Sequence, residues 1–267
     1  TTRNQSIGFI LRAENITMEN IDMDGVWEID GWIAGAGGII GESPGNAERT
    51  TYNSTFKNIS IKNIGNPVIQ GDATGTYGMS IRGLGNTFED IYIDSIRYSG
   101  ISNANPVLPE GTSIYDMPKT IWNGVYVGNV SHNNAEIKAS NTIYKNFTIR
   151  QLWDSPVEAI DAVFITHGNV RNTTYEDFDI VNVDNTAIKL GYMGANYSFG
   201  DILFNRFNAH SGKGSILFTQ LDNSQIVNSY FENGNFVMAQ WDGVDTHNIS
   251  IVDTEFVDMG YNVYEDG

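Results

Sequence analysis

Three carboxylates, Glu158, Asp161 and Asp184, and two protonatable groups, His210 and Lys213, fall on successive stretches of a repeating sequence. Hydrolysis of a glycosidic bond needs one carboxyl group as acid and a second as base or nucleophile, at a separation set by the stereochemical course. On neighbouring turns of a stacked structure, carboxylates one turn apart lie about 5 Å from each other, and two turns apart about 10 Å. Glu158 or Asp161 would then bracket a sugar bond with Asp184. His210 and Lys213 on the next turn would bind a substrate carboxylate or sulfate, or tune an acid's pKa. Lys189, Trp153 and Trp241 complete the set as substrate contacts, the tryptophans because an indole face stacks on a sugar ring. Cleavage by β-elimination would use a basic residue, Arg150, Arg171, Lys189 or Arg206, and a cation to neutralise a uronate. The plain alternative for all of these is a set of solvated strand-edge residues on an acidic protein.

What must position them is a repeat. Asn141-Thr-Ile-Tyr-Lys-Asn-Phe-Thr-Ile returns as Asn172-Thr-Thr-Tyr-Glu-Asp-Phe-Asp-Ile and as Asn196-Tyr-Ser-Phe-Gly-Asp-Ile-Leu-Phe. Further copies start at Asn15, Asn53, Gly85, Asn223 and Asn248. Each has a large apolar residue three positions after its start, Asn or Asp at the fifth, and a large apolar residue at the eighth. Most copies are spaced by roughly 24 to 32 residues, a coil length that fits a right-handed parallel β-helix with three short strands per coil. The expected fold is therefore an all-β solenoid of about 8–10 coils, one domain over residues 1–267, with loop insertions. One inward column would run Met18, Phe56, Phe88, Tyr144, Tyr175, Phe199, and a second Met23, Ile61, Ile93, Ile149, Ile180, Phe204. Between them Asn20, Asn58, Asp90, Asn146, Asp177 and Asp201 would form a turn whose side chains bond along the stack. A row of calcium ligands is the alternative for that column, and calcium is the one cation these residues suggest.

A second strand is expected after each phrase, at Pro67–Gln70, Ala187–Leu190, Ser215–Phe218, Phe236–Gln240 and Asn262–Tyr264. Three segments break the period: Gly25–Thr50, Ile101–Gly124 and Gln151–Gly168. The step from Gly85 to Asn141 must hide a degenerate coil, an insertion, or both. Trp27, Trp32, Trp122, Trp153 and Trp241 all fall outside the two inward columns, which assigns them to loops or strand ends.

Composition narrows the partners. The 267 residues carry a formal charge of -17, spread along the chain, and no cysteine. Such a surface repels nucleic acid and anionic membranes, and the missing thiols exclude disulfides and Cys-type zinc sites. No apolar run approaches the about 18 residues that would cross a bilayer. Thr1 is not an initiator Met, so a leader or a longer N-terminal part is expected to have been removed. Nine Asn-x-Ser/Thr sequons, several of them at repeat starts, are acceptors for glycosylation in a secreted chain, or simply strand-compatible sequence. The unfinished last coil, Tyr261–Gly267, leaves room for a homo-oligomer or end-to-end assembly.

The stretch Thr148-Ile-Arg, Asp154-Ser-Pro, Asp161, Val183-Asp184-Asn-Thr-Ala-Ile-Lys189-Leu-Gly191 and Ser211-Gly-Lys-Gly-Ser-Ile216 resembles the pectate-lyase-like β-helix proteins, in particular the polygalacturonase type of glycoside hydrolase. That family carries Asn-Thr-Asp, Asp-Asp with Ile-Lys, Gly-His-Gly and Arg-Ile-Lys on successive coils. This chain keeps Asp184 and the Ala-Ile-Lys189 tail. It has Val183 for the first Asp of the pair, Gly212-Lys213-Gly214 for Gly-His-Gly, and Phe236-Val-Met-Ala where Arg-Ile-Lys would stand. Glu158 with Asp161 is its nearest match to the first motif. The resemblance implies an extracellular or cell-surface protein that contacts polysaccharide. It does so either as a glycoside hydrolase or as a non-catalytic adhesin, filament or tailspike-like subunit.

Overall fold

In the computed structural model the described residues are 7–11, 14–26, 37–40, 51–65, 76–106, 108, 110–131, 133–150, 161–165, 169–183, 186–190, 199–211, 215–219, 221–239 and 247–260. In chain order the strands are β1 (Ile7–Ile10), β2 (Thr17–Val26), β3 (Gly37–Ile40), β4 (Thr55–Ile64), β5 (Tyr77–Arg82), β6 (Thr87–Ile96), β7 (Ser99–Ala104), β8 (Thr120–Val130), β9 (Asn133–Lys138) and β10 (Thr142–Arg150). They continue as β11 (Asp161–Ile165), β12 (Val170–Val183), β13 (Thr186–Leu190), β14 (Phe199–Ser211), β15 (Ser215–Thr219), β16 (Leu221–Val227), β17 (Tyr230–Glu232), β18 (Asn235–Ala239), β19 (His247–Val252) and β20 (Glu255–Val257).

Among the described residues every pairing is parallel and joins strands that are not consecutive in the chain, so the chain alternates between two sheets as it winds. The first sheet runs β1-β3-β5-β7-β9-β11-β13-β15-β18, and the second runs β2-β4-β6-β8-β10-β12-β14-β16-β19 with β17 and β20 continuing its last coils. This is a parallel β-helix, with nine coils among the described residues. The short strands of the first sheet and the long strands of the second face each other across one continuous apolar core.

The long strands turn corners without breaking, because single residues in the left-handed region let the backbone bend while the ladder continues on both sides. Nearly all are Asn or Asp, whose short polar side chains tolerate that conformation. They recur every five residues in three columns. Asn15, Asn53, Asn141, Asn172, Asp201, Asn223 and Asn248 open the strands, and Asn20, Asn58, Asp90, Asn146, Asp177, Asn228 and Asp253 bend them in the middle. Asn63, Ser95, Asn129, Asn233 and Asp258 make a third bend, ten positions after the start. Between bends the side chains alternate, giving in-out-in-out-bend: in β4, Phe56, Ile59, Ile61 and Ile64 are buried and Lys57 is exposed.

The inward columns are stacks of rings. Phe56 and Phe88 lie 4.6 Å apart, Phe88 and Trp122 3.6 Å, Tyr144 and Tyr175 5.2 Å, and Tyr175 and Phe204 4.9 Å, all near parallel. A second stack joins Phe147, Phe178 and Phe207 at 4.8 and 4.7 Å. Trp122 is thus a core residue on β8, not a loop residue. It fills the coil hidden between Gly85 and Asn141, pairing with Phe88 on one side and Tyr144 on the other. The inserted excursion is shorter than its sequence limits: β7 holds residues to Ala104 and β8 starts at Thr120.

The register corrects one coil. Tyr175 pairs with Phe204 and not with Phe199, and Ile180 pairs with Ala209. Asp201 therefore belongs to the strand-opening column, and its coil has Arg206 at the mid-strand bend, also left-handed at φ 51°. Five intervening residues that satisfy the same polar-apolar pattern hid the slip. Of the expected second strands, Ala187–Leu190 and Ser215–Phe218 fall within β13 and β15, Phe236–Gln240 overlaps β18, and Pro67–Gln70 and Asn262–Tyr264 lie outside the described residues. The strand of the Asn53 coil is β5.

Candidate functional site

Sheet geometry sorts the outward groups onto two faces. On the first sheet, side chains alternate between core and exterior. Ala135 and Ile137 are buried in the core, so Glu136 between them lies on the outer face, as do Ser102 on β7 and Ser80 on β5, its register partners. An outer face of a sheet is normally wet. Here Ser80, Ser102 and Glu136 are only 4, 5 and 6% exposed. Lys138, two residues along on the same side, places its ammonium 3.5 Å from Glu136 Oε2.

A carboxylate lifted out of water is costly unless a cation and hydrogen bonds compensate it. Such groups concentrate where chemistry or binding requires them. Glu136 was not among the sequence candidates, because nothing in Glu136-Ile-Lys138 distinguishes it from a solvated strand. Only its burial does.

The strands that follow bring one of the sequence candidates into its column. Glu136 pairs with Phe164 on β11, and Phe164 pairs with Lys189 on β13. Lys189 therefore occupies the same column, two coils on. Asp161 is the first residue of β11, three positions before Phe164, and pairs with Thr186. Strand geometry puts the Cα atoms of Glu136 and Asp161 roughly 11 Å apart, and the odd spacing from Phe164 gives Asp161 the same face position as core residue Val163, opposite to that of Glu136. Glu158, Asp184, Lys213, Trp153 and Trp241 lie outside the described residues, as do Trp27, Trp32, His132 and His167.

His210 stands apart, on the outer face of the second sheet. Its Nδ1 is 2.8 Å from Glu232 Oε2 one coil on, and its ring leans on Tyr230 at 5.0 Å. The hydrogen bond from His210 holds the Glu232 carboxyl below its ordinary range, while partial desolvation and the Glu232 charge raise the Tyr230 phenol. The contact favours the ionised form of Glu232, which is not one of the candidate acids. His247 makes the equivalent pair with Asp222, 3.0 Å away, and Arg171 approaches the other Asp222 oxygen at 3.9 Å. These are clamps between coils.

The remaining candidate bases are similarly engaged. Arg206 spans to Asp177 through Nε and Nη2, the latter at 3.0 Å, and reaches Glu176 at 2.6 Å. Its guanidinium pushes the Asp177 carboxyl down. Arg150 lies 3.7 Å from Asp179. The Asn/Asp bends bond along the stack, Asn58 to Asn20 at 2.7 Å, Asn172 to Asn141 at 2.8 Å and Asn248 to Asn223 at 3.0 Å. Among the described residues no group of three or more His, Asp or Glu side chains is arranged to hold a metal ion. No helix among them is long and apolar enough to cross a membrane.

The excursion between β7 and β8 straps one edge of the second sheet. Tyr115 donates to Asp201 at 2.6 Å, the Met117 carbonyl accepts from Asn141 at 2.6 Å, and Lys119 reaches Asn172 at 3.4 Å. It thereby crosses the strand-opening column of three successive coils. Comparison with protein-family models, with curated proteins and with solved structures finds no match to this chain in any of the three.

Proposed function

We propose that the protein is an extracellular, pectate-lyase-like β-helix that cleaves a polysaccharide on the outer face of its first sheet, by glycoside hydrolysis. The observation that carries this reading is the covered Glu136–Lys138 pair, with Lys189 at the same column position two coils on. A carboxylate beside an ammonium suits the base or nucleophile of hydrolysis, which also needs a second carboxyl group as acid. Lys138 and Lys189 would hold acidic substituents of the polymer.

The test is release of reducing ends, and of 235-nm absorbing products for elimination, across a panel of acidic and neutral polysaccharides. Glu136→Gln should lower turnover by about 10²-fold or more with the melting temperature retained. Full activity in that variant, or none in the parent on any polymer, would defeat the proposal.

A second reading is a non-catalytic surface shaft that binds glycan. It is favoured by the outward charges of the second sheet, which pair with each other as Lys57–Glu89 at 2.9 Å and Lys145–Glu176 at 3.5 Å and so stiffen a rod. Binding to insoluble glycans without product release would establish it.

A further inference from the structure

The outer face of the second sheet carries a feature that neither reading uses. Tyr92 and Tyr126, register partners on β6 and β8, stack at 4.7 Å with their planes within 6°. Both rings lie along their strands: Tyr92 Oη reaches Asp94, two residues on, and Tyr126 lies over Gly128, where a Cβ would sit 2.6 Å from its hydroxyl. Only glycine leaves that space. One face of Tyr92 is against Tyr126, and Lys62 Nζ stands 5.4 Å from the Tyr92 ring centroid. The tyrosines therefore offer hydroxyls and ring edges outward, not faces.

The cations at the two ends of this pair are loosely engaged. Lys57, Lys138, Lys145 and Arg206 are each within 3.5 Å of a carboxylate. Lys62 has the Tyr92 ring and, among the described residues, no carboxylate within 4.0 Å. Arg150, whose charge reaches Tyr126, meets Asp179 only at 3.7 Å with both groups half exposed. A contact of that kind is worth little and leaves the guanidinium available. The acid between them, Asp94, is already bound by Tyr92, by Ser95 at 2.6 Å and by Asn129 at 3.1 Å. Its negative charge is shared among three donors.

We infer that Lys62, Tyr92, Tyr126 and Arg150 form a binding row for an acidic polysaccharide lying along the helix axis. Lys62 and Arg150 are three coil steps apart, roughly 14 Å. A pyranose in an extended chain advances by about the rise of one coil, so a short run of sugars would place uronate carboxylates at both cations and hydroxyls over the tyrosine edges between. A neutral polymer would leave both cations without partners. The row is on a different sheet from Glu136 and does not depend on any cleavage there.

The test is calorimetric titration with oligogalacturonate and with dextran, at low and at physiological salt. Oligogalacturonate should bind at low salt and weaken with added salt, and dextran should not bind. Lys62→Gln with Arg150→Gln should weaken binding by about ten-fold or more, from two charge contacts each contributing a few-fold. Lys57→Gln, on the same sheet but already paired with Glu89, should bind as the parent does. Tyr126→Phe, which keeps the stack, should weaken binding by a few-fold through the lost hydroxyl. Absence of oligogalacturonate binding at low salt, equal binding of dextran, or full affinity in the double glutamine variant with an unchanged melting temperature would each overturn the inference. Loss of catalysis in Glu136→Gln bears only on the first sheet, so the two proposals can fail separately.

Discussion

Two ion pairs of the same chemistry sit on the two outer faces, and the closer one matters less. Lys57 and Glu89 meet at 2.9 Å across β4 and β6, with their side chains 48 and 38% exposed. Glu136 and Lys138 meet at 3.5 Å along β9, with 8 and 19% exposed. Water screens the first pair, and either partner can lose the other and be solvated. In the second pair the contact carries more weight, because solvent is largely excluded from the carboxylate. Burial, more than distance, separates a surface that only keeps the rod soluble from one organised around a charge. Inside both faces the ring stacks hold the coils together, and they set the scale against which either pair is judged.

The largest expected effect is therefore internal. Trp122 is fully buried between the Phe88 and Tyr144 rings. The Asn103 amide, with its oxygen toward the rings, accepts from Trp122 Nε1 at 3.0 Å and from Tyr144 Oη at 2.9 Å, and donates to the Ile81 carbonyl at 3.3 Å. Trp122→Ala removes the ring and one donor of that network and should cost about 3–5 kcal/mol in denaturant unfolding. Trp122→Phe keeps the stack and should cost distinctly less. If Trp122→Ala unfolds no more easily than the parent, the coils are not held together by the interior, and the contrast between outer faces loses its reference.

Next is the contrast itself. Lys138→Met removes the ammonium 3.5 Å from the covered Glu136 carboxylate. The loss should be roughly 2 kcal/mol, below the about 3–5 kcal/mol of a fully buried pair because the ammonium is partly exposed. Adding Glu136→Gln should recover most of it, which a double-mutant cycle measures. Lys57→Met should leave the melting temperature unchanged within error. Equal effects of the two lysine changes would erase the distinction drawn from burial.

The part of this contrast that could be read from the chain is the interior. Phe56, Phe88, Tyr144 and Tyr175 repeat at fixed offsets because an inward column accepts only large apolar residues, and the bends need Asn or Asp because few other side chains tolerate a positive φ. Trp122 escaped because its coil lacks the opening Asn and has Gly124 at the bend, so no phrase announced it. The third bend, at Asn63, Ser95, Asn129, Asn233 and Asp258, was present in the sequence as an extra step of five and went unread. Glu136 could not be found in this way. Whether an outward carboxylate is wet depends on what lies over it, and that is a property of distant chain segments, not of local spacing. Lys62 and Tyr92 are likewise neighbours only through register, thirty residues apart in sequence.

A smaller effect should appear on acidification. Arg206 holds Asp177 below its ordinary value of 3.8, so ionised Asp177 favours the folded state. That contribution is complete above the unfolded value and is lost as the pH falls through the lower folded value. Melting temperature measured from pH 6 to pH 2 should fall less steeply in Arg206→Asn than in the parent. Arg206→Asn restores the residue type used at the other bends, so it should be nearly neutral at pH 6. Parallel pH profiles would show that the Arg206 contact, exposed as it is, contributes no more than Lys57–Glu89.

The smallest expected change is a gain. Gly38, Gly78 and Gly100 share one column of the first sheet, where an added Cβ would come within 2.7 Å of Ile61, Ile93 and Val127. In the next coil the column holds Asn134, fully buried, and then Ala162. Neither polar atom of the Asn134 amide has a hydrogen-bond partner. A buried amide without partners destabilises the fold, and its removal should outweigh the small cavity left by an isolated side chain. Asn134→Ala reproduces the residue one coil on and should raise stability by about 1 kcal/mol, a rise of roughly 2–4 °C in melting temperature for a chain of this size. A fall instead would mean that the amide is satisfied by an internal water, and that this point of the covered sheet is wetter than the Glu136 column beside it.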